Sequence, residues 1–241
     1  MNNVRTVSDT KRSFYTLHTR PINSLYRRVV EELMVEMHLL SVNSDFQYDP
    51  IYALGVVTSF DRFMQGYQPE ADQNSIFVAL CQSVESNPQQ VRQDAAQIKA
   101  DAASYTSDSL IDAAANGAAP DGILKSTLQA IAHRSRFKYS RLFAIGLYAV
   151  IEQIDSAVTT DEKRLNEIVD RLSEPLHIVA DKCKKDLELY RSNLEKMVQA
   201  QAVLADVLAA DRKKKEQRAQ EKAKREAIST SSSETTEESN A

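Results

Sequence analysis

The sequence predicts an all-α protein: a helical bundle followed by a long C-terminal, coiled-coil-like helix and a disordered tail. Three observations carry this. Apolar residues recur at three- and four-residue spacing along most of the chain, and no convincing period-two alternation is present. Only five glycines occur in 241 residues, so turn chemistry is scarce and long helices are favoured over many short strands. The six prolines, Pro21, Pro50, Pro69, Pro88, Pro120 and Pro175, each open a stretch of helical periodicity. A proline is tolerated there because the first helical turn has no partner for the missing N–H. Six prolines thus predict six helix starts.

The elements follow in order. From residue 21, Ile22, Tyr26, Val29, Leu33, Met37 and Leu40 form one apolar stripe, with Arg27, Arg28, Glu31, Glu32 and Glu36 on the other side. Asp49 is a good N-cap for a helix over about 50–66, and Asn87 for one over about 88–104. Further helices are read at about 69–86, 107–116, 121–134, 139–156 and 159–173. A very long last helix begins near Pro175 and carries Leu176, Val179, Cys183, Leu187, Tyr190, Leu194, Met197, Gln201, Leu204 and Leu208 at mostly alternating three- and four-residue spacing. That is a coiled-coil or helical-hairpin seam, and 159–173 is its nearest candidate partner. Past Leu208 the stripe stops. Residues 211–226 hold eight basic side chains, Arg212, Lys213, Lys214, Lys215, Arg218, Lys222, Lys224 and Arg225, against four acidic ones. Mixed charge at this density can stay helical in solvent. The Ser/Thr/Glu stretch beyond has nothing to bury and is expected to be disordered. The expected division is therefore a helical bundle over 1–158, a hairpin and long helix over 159–228, and a disordered acidic tail over 229–241.

Several function classes are disfavoured. A net charge of −4 gives no global reason to expect nucleic acid. Cys81 and Cys183 stand alone among apolar neighbours and read as small core hydrophobes in a reducing compartment. No stretch reaches the roughly 18 apolar residues of a membrane span, the longest uncharged apolar run being "LFAIGLYAVI", residues 142–151. The N-terminus lacks the apolar segment of a secretory signal, so the protein is expected to stay where it is made and to touch a membrane only peripherally. Phosphate-binding glycine loops, nucleophile elbows and paired cysteine motifs are missing, and the four histidines have no evident nucleophile nearby. Enzymatic activity is not expected.

The stretch "RRVVEELMVEMHLL", residues 27–40, invites a metal or acid/base interpretation. Glu32 and Glu36 share a helix face, but His38 points roughly 200° round from Glu36. The one Glu-x-x-His pair, Glu174 to His177, straddles Pro175, and a carboxylate-bridged bundle site needs two such motifs. No metal or cofactor is expected. The basic run could meet RNA, anionic lipid or an acidic protein face. It has no interleaved aromatics to stack on bases, and its apolar side is only Ala219, Ala223, Ala227 and Ile228. A solvated charged helix is the plainer account.

Residues 6–86 are more specific. The blocks "HTRPINSLYRRVVEEL", "HLLSVNSDFQYDP", "ALGVVTSFDRFMQGY" and the later "YSRLFAIGLY" closely resemble the thylakoid formation protein family, the photosystem II biogenesis proteins of cyanobacteria and chloroplasts. The resemblance covers roughly residues 5–210. It implies an all-helical, non-enzymatic accessory protein of photosystem II assembly and repair. The implied partners are membrane FtsH protease complexes and photosystem II assembly intermediates. The family pattern starts almost at Met1, so the resemblance points to a cyanobacterial protein peripheral to the cytoplasmic face of the thylakoid. It makes Glu31, Glu32 and Glu36 scaffold or docking charges. The pairs Arg27–Glu31 and Arg28–Glu32 would each contribute about 0.2–0.5 kcal/mol, too little to explain the motif by stability alone. Arginines and aromatics concentrate interface energy, so His18, Arg20, Arg27, Arg28, Asp61, Arg62 and Tyr67 are the candidate contact surface. The alternative is that His18, Arg20, Arg62 and Tyr67 tie helix ends together. The remaining alternatives are a pigment- or metal-binding helical protein and a nucleic-acid or anionic-surface binder through the basic segment.

Overall fold

Residues 5–234 are described in the computed structural model, and among them the ordered elements are all helices. The helices are α1 (Val7–Leu17), α2 (Ser24–Ser41), α3 (Pro50–Phe63), α4 (Ala71–Ser83), α5 (Pro88–Ala102), α6 (Ser107–Ala114), α7 (Ile123–Ala132), α8 (Arg141–Ile154), α9 (Ser156–Thr160), α10 (Glu162–Ser173) and α11 (Ala180–Glu234). The all-α expectation holds.

Capping chemistry sets most starts. Asp49 accepts a hydrogen bond from the Tyr52 N–H at 2.9 Å, with Pro50 the first residue of α3. Asn87 accepts from the Gln89 and Gln90 N–H groups at 3.0 and 3.1 Å ahead of Pro88. These are the only two prolines that occupy a helix start. Pro21 lies upstream of the Asn23 cap, Pro69 and Pro120 stand in turns ahead of α4 and α7, and Pro175 is in the α10–α11 turn. In those turns the fixed φ serves the connection rather than the first helical residue. The sequence pattern also missed α1. That helix buries only Thr10 and Phe14, too short a stripe to register, although Thr6 and Asp9 form a capping box.

The chain divides into two compact units, residues 1–194 and 195–241, rather than at 158. The reason is burial. Val158, Leu165, Ile168, Val169 and Leu172 of α9 and α10, and Leu176, Cys183, Leu187 and Tyr190 from the turn and α11, belong to the same apolar cluster as Leu54, Phe143 and Leu147. The expected seam therefore turns into the common core instead of into a two-helix hairpin. Val179 of the expected seam is 67% exposed; it follows the αL residue His177, whose φ is 54°. On α2 the buried stripe is Tyr26, Val30, Leu33, Met34, Met37 and Leu40, so Val30 rather than Val29 faces inward.

At the centre of unit 1, α3 packs on both α8 and α5, while α1 lies on α2 and α4. The α3–α8 crossing is close because a glycine sits on each side. A Cβ on Gly55 would lie 1.7 Å from the Leu142 carbonyl oxygen, and one on Gly146 would lie 1.9 Å from that of Ile51. Phe60 and Phe77 meet edge to face at 5.0 Å between α3 and α4, burying apolar area with favourable ring geometry. In unit 2, α11 runs on to Glu234. No glycine or proline stands near residue 228 to end it, so it passes the expected boundary. Residues 235–241 of the expected tail lie outside the described residues.

Candidate functional site

The charged face of α2 forms one wall of a cleft of about 1050 Å³. Lys11 of α1 contributes to it, and the other side is made by residues 138–141 with Lys182 and Asp186 of α11. Leu39 and Val35 add apolar surface, Leu39 being 57% exposed.

The carboxylates of this face are engaged by side chains from elsewhere in the chain. Glu31 accepts from Lys11 Nζ at 2.8 Å and from the Tyr15 hydroxyl at 2.7 Å, and the Lys11 bond is the main reason its carboxyl is held below the usual range. Glu36 accepts from Arg141 Nε and Nη2 at 3.0 and 2.5 Å. Arg28 pairs with Glu32 at 2.9 Å along the helix. His38 turns into the core, hydrogen-bonded through Nδ1 to the Thr10 hydroxyl at 2.8 Å, and burial lowers its pKa. Glu32, Glu36 and His38 therefore do not converge, and no metal-holding cluster of His, Cys, Asp or Glu occurs among the described residues.

The residues expected to form one contact surface separate into four places. His18, Arg20 and Tyr67 gather around Asp72 of α4. Arg20 ion-pairs with the buried Asp72, and His18 Nδ1 is 3.0 Å from Ser75 Oγ. Burial lowers the His18 pKa, and its Nε2 is buried without a hydrogen-bond partner. Tyr67 is buried and packs edge to face on Tyr26 at 5.1 Å. Asp61 and Arg62, though adjacent, diverge. Asp61 takes a bidentate pair from Arg92 of α5 at 3.1 and 3.2 Å. Arg62 binds Glu152 of α8, donates to the Tyr190 hydroxyl at 3.5 Å and lies 5.9 Å from the Tyr148 ring centroid. These five side chains brace the elements against one another, four of them, His18, Arg20, Arg62 and Tyr67, being those of the bracing alternative drawn from sequence.

Arg27 and Arg28 alone of that set border the cleft. Arg27 is exposed, and its side chain forms no hydrogen bond or ion pair among the described residues, acting on Glu31 only through space. Lys138, on the facing segment, is likewise exposed and unpaired among the described residues. Sequence reasoning missed Lys138 and Arg141, because helical periodicity says nothing about which elements face each other 105 residues apart. The block "YSRLFAIGLY" did contain Arg141.

In unit 2, Arg212, Lys213, Lys214, Lys215 and Arg218 are exposed, and the side chains of Lys222, Lys224 and Arg225 lie outside the described residues. Cys81 and Cys183 are free and buried, and burial pushes their thiols up to about 12 and about 11, the condition of inert core cysteines. No helix among the described residues is long and apolar enough to cross a membrane.

Comparison with known proteins follows the same lines. A family model described as thylakoid formation protein matches residues 6–219. The proteins named Thf1 of Trichormus variabilis and Nostoc punctiforme are 61% and 60% identical over 223 residues, spanning 92% of this chain and 96% and 95% of theirs. A solved structure of Psb29 superposes with a TM-score of 0.78 at 47% identity, covering 88% of this chain and 98% of that one.

Proposed function

We propose, from the premise that the chain belongs to the thylakoid formation protein family, that it is a non-catalytic accessory protein of photosystem II biogenesis and repair. In this account it docks on membrane FtsH protease complexes at the cytoplasmic face of the thylakoid and supports them. Family membership supports the coarse role in thylakoid formation and photosystem II biogenesis. The observation that carries docking is the cleft along α2, where Arg27 is exposed and unpaired while the other charges of that helix face are largely neutralised within the chain. An arginine kept free beside apolar surface suits partner recognition, because its planar fork binds carboxylates bidentately.

The test is co-purification from solubilised thylakoids with the Arg27→Glu and Arg28→Glu double variant. Both side chains are exposed, so the variant is expected to keep the wild-type helical spectrum and melting temperature while recovering less protease. Wild-type recovery at wild-type stability would exclude this face as the docking site. A markedly earlier melt would instead assign the two arginines to bracing.

A further inference from the structure

We propose that the α2 cleft receives an acidic, partly apolar peptide segment of the docking partner, clamped between Arg27 and Lys138. This rests on the docking reading above and adds the chemistry of what is docked.

The argument is one of charge pairing. The cleft is lined by six cationic and four anionic side chains. Three of the cations are matched across elements or along a helix: Lys11 with Glu31, Arg141 with Glu36, and Arg28 with Glu32, at 2.8, 2.5 and 2.9 Å. Lys182 lies 3.5 Å from Asp186 and 4.9 Å over the Tyr139 ring. The surplus of two positive charges is thus Arg27 and Lys138, one on each wall, both exposed and with side chains that make no hydrogen bond or ion pair among the described residues. An occupant that brings carboxylates to both walls completes the pairing.

The remaining surface narrows the class of occupant. Leu39 stands 57% exposed in the cleft with Val35 beside it, so an apolar side chain between the carboxylates gains burial. A nucleic-acid strand fits poorly, because the four carboxylates of the lining would face a phosphate every step. At about 1050 Å³ the cleft is at or beyond the upper end of drug-sized ligand sites, roughly 300–1,000 Å³, which suits several side chains of a peptide.

The experiment uses the full chain and a fluorescein-labelled synthetic amphipathic peptide of alternating glutamate and leucine/alanine turns, with a glutamine-for-glutamate counterpart. Fluorescence anisotropy should show binding of the acidic peptide that weakens steeply with salt, as expected for charge-steered association, and no comparable binding of the amide peptide. Arg27→Glu with Lys138→Glu should weaken acidic-peptide binding by about tenfold or more, and a lysine-substituted peptide should recover binding on that variant. Arg136→Glu, which removes an exposed cation outside the cleft lining, should leave binding unchanged. If the charge-reversed variant does not fold, Arg27→Gln with Lys138→Gln takes its place. Equal binding of both peptides, or equal binding by wild type and the cleft variant, overturns the proposal. The two readings fail separately. Protease recovered normally with the cleft variant overturns the acidic-segment proposal and leaves docking intact on another face. Protease absent even with wild type overturns docking, while the peptide titration is still decided on its own result.

Discussion

Replacing Gly55 with alanine separates local preference from packing, because the two act in opposite directions. On helix propensity alone, alanine in place of a mid-helix glycine stabilises by about 1 kcal/mol. In this fold the added Cβ would stand 1.7 Å from the Leu142 carbonyl oxygen and 3.0 Å from the Gly146 nitrogen. Both are backbone atoms, so no rotamer change relieves the clash. To reach ordinary contact near 3.4 Å, α3 and α8 would have to part by about 1.7 Å. A gap of even 0.5–1 Å forfeits roughly a quarter to a half of the contact energy along a packed face, and overpacking costs about 1–3 kcal/mol, at times more. Because α3 is the helix that carries both α8 and α5, the upper end applies. Set against the propensity gain of about 1 kcal/mol, a cost of about 3 kcal/mol leaves a net loss of about 2 kcal/mol, which corresponds to a fall of roughly 4–8 °C in melting temperature for a protein of this size. Thermal and urea melts followed by circular dichroism measure it. Gly146→Ala should cost a similar amount, and the double variant less than the sum, since one displacement accommodates both methyls. A melting temperature equal to or above wild type for either single variant would refute the close-crossing argument.

Other expectations follow from buried titratable groups and one bridging arginine. Burial lowers the pKa values of His18 and His38 below the ordinary 6.5, so the folded chain resists a proton that the unfolded chain accepts. Their contribution is complete above about pH 6.5 and is lost progressively as pH falls from there through the lowered values of the folded state; melting temperature should drop on acidification, less steeply in His38→Gln. Asp49 acts oppositely, because burial raises its pKa from 3.8 to about 6. Ionising it costs stability above about pH 6. Asp49→Asn, which keeps an acceptor for the Tyr52 N–H, should therefore melt higher than wild type near neutrality, with the difference vanishing at about pH 4. Arg62→Met should lower stability by about 1–3 kcal/mol by leaving half-buried Glu152 unmatched, and much of that loss should disappear in a Glu152→Gln background, as measured by a double-mutant cycle.

What the sequence made legible was the part of the fold written in local chemistry. Asp49 before Pro50 and Asn87 before Pro88 gave helix starts correct to the residue, because a cap and its helix lie within four positions of each other. Pro69 and Pro120 misled because proline fixes φ equally well in a turn, and which use applies depends on the surroundings. The glycines in "ALGVV" and "AIGLY" look like local costs. They become intelligible only when α3 and α8 are seen to cross at that point. The boundary at 158 failed for a related reason. Amphipathic spacing shows that Leu176, Cys183 and Leu187 will be buried, but not against what; they joined the core of α3 and α8.

The candidate site shows the same limit more sharply, since residue type alone treats Arg27 and Arg62 alike. Each sits on a helix next to an aromatic residue, Tyr26 or Phe63, and the same energetic rule, that a guanidinium is not left buried and unpaired, governs each. The rule has two solutions. Arg62 meets it with Glu152, Tyr190 and the Tyr148 ring, partners from 86 to 128 residues away, and is thereby committed to holding α3, α8 and α11 together. Arg27 meets it by staying in solvent, on a wall whose carboxylates are engaged by Lys11, Arg28 and Arg141. Those acids are engaged by other cations, and the side chains of Arg27 and Lys138 take no partner from the cleft among the described residues. Charge left over after internal pairing is what a partner can use, and in this cleft it stands where an exposed leucine is also at hand.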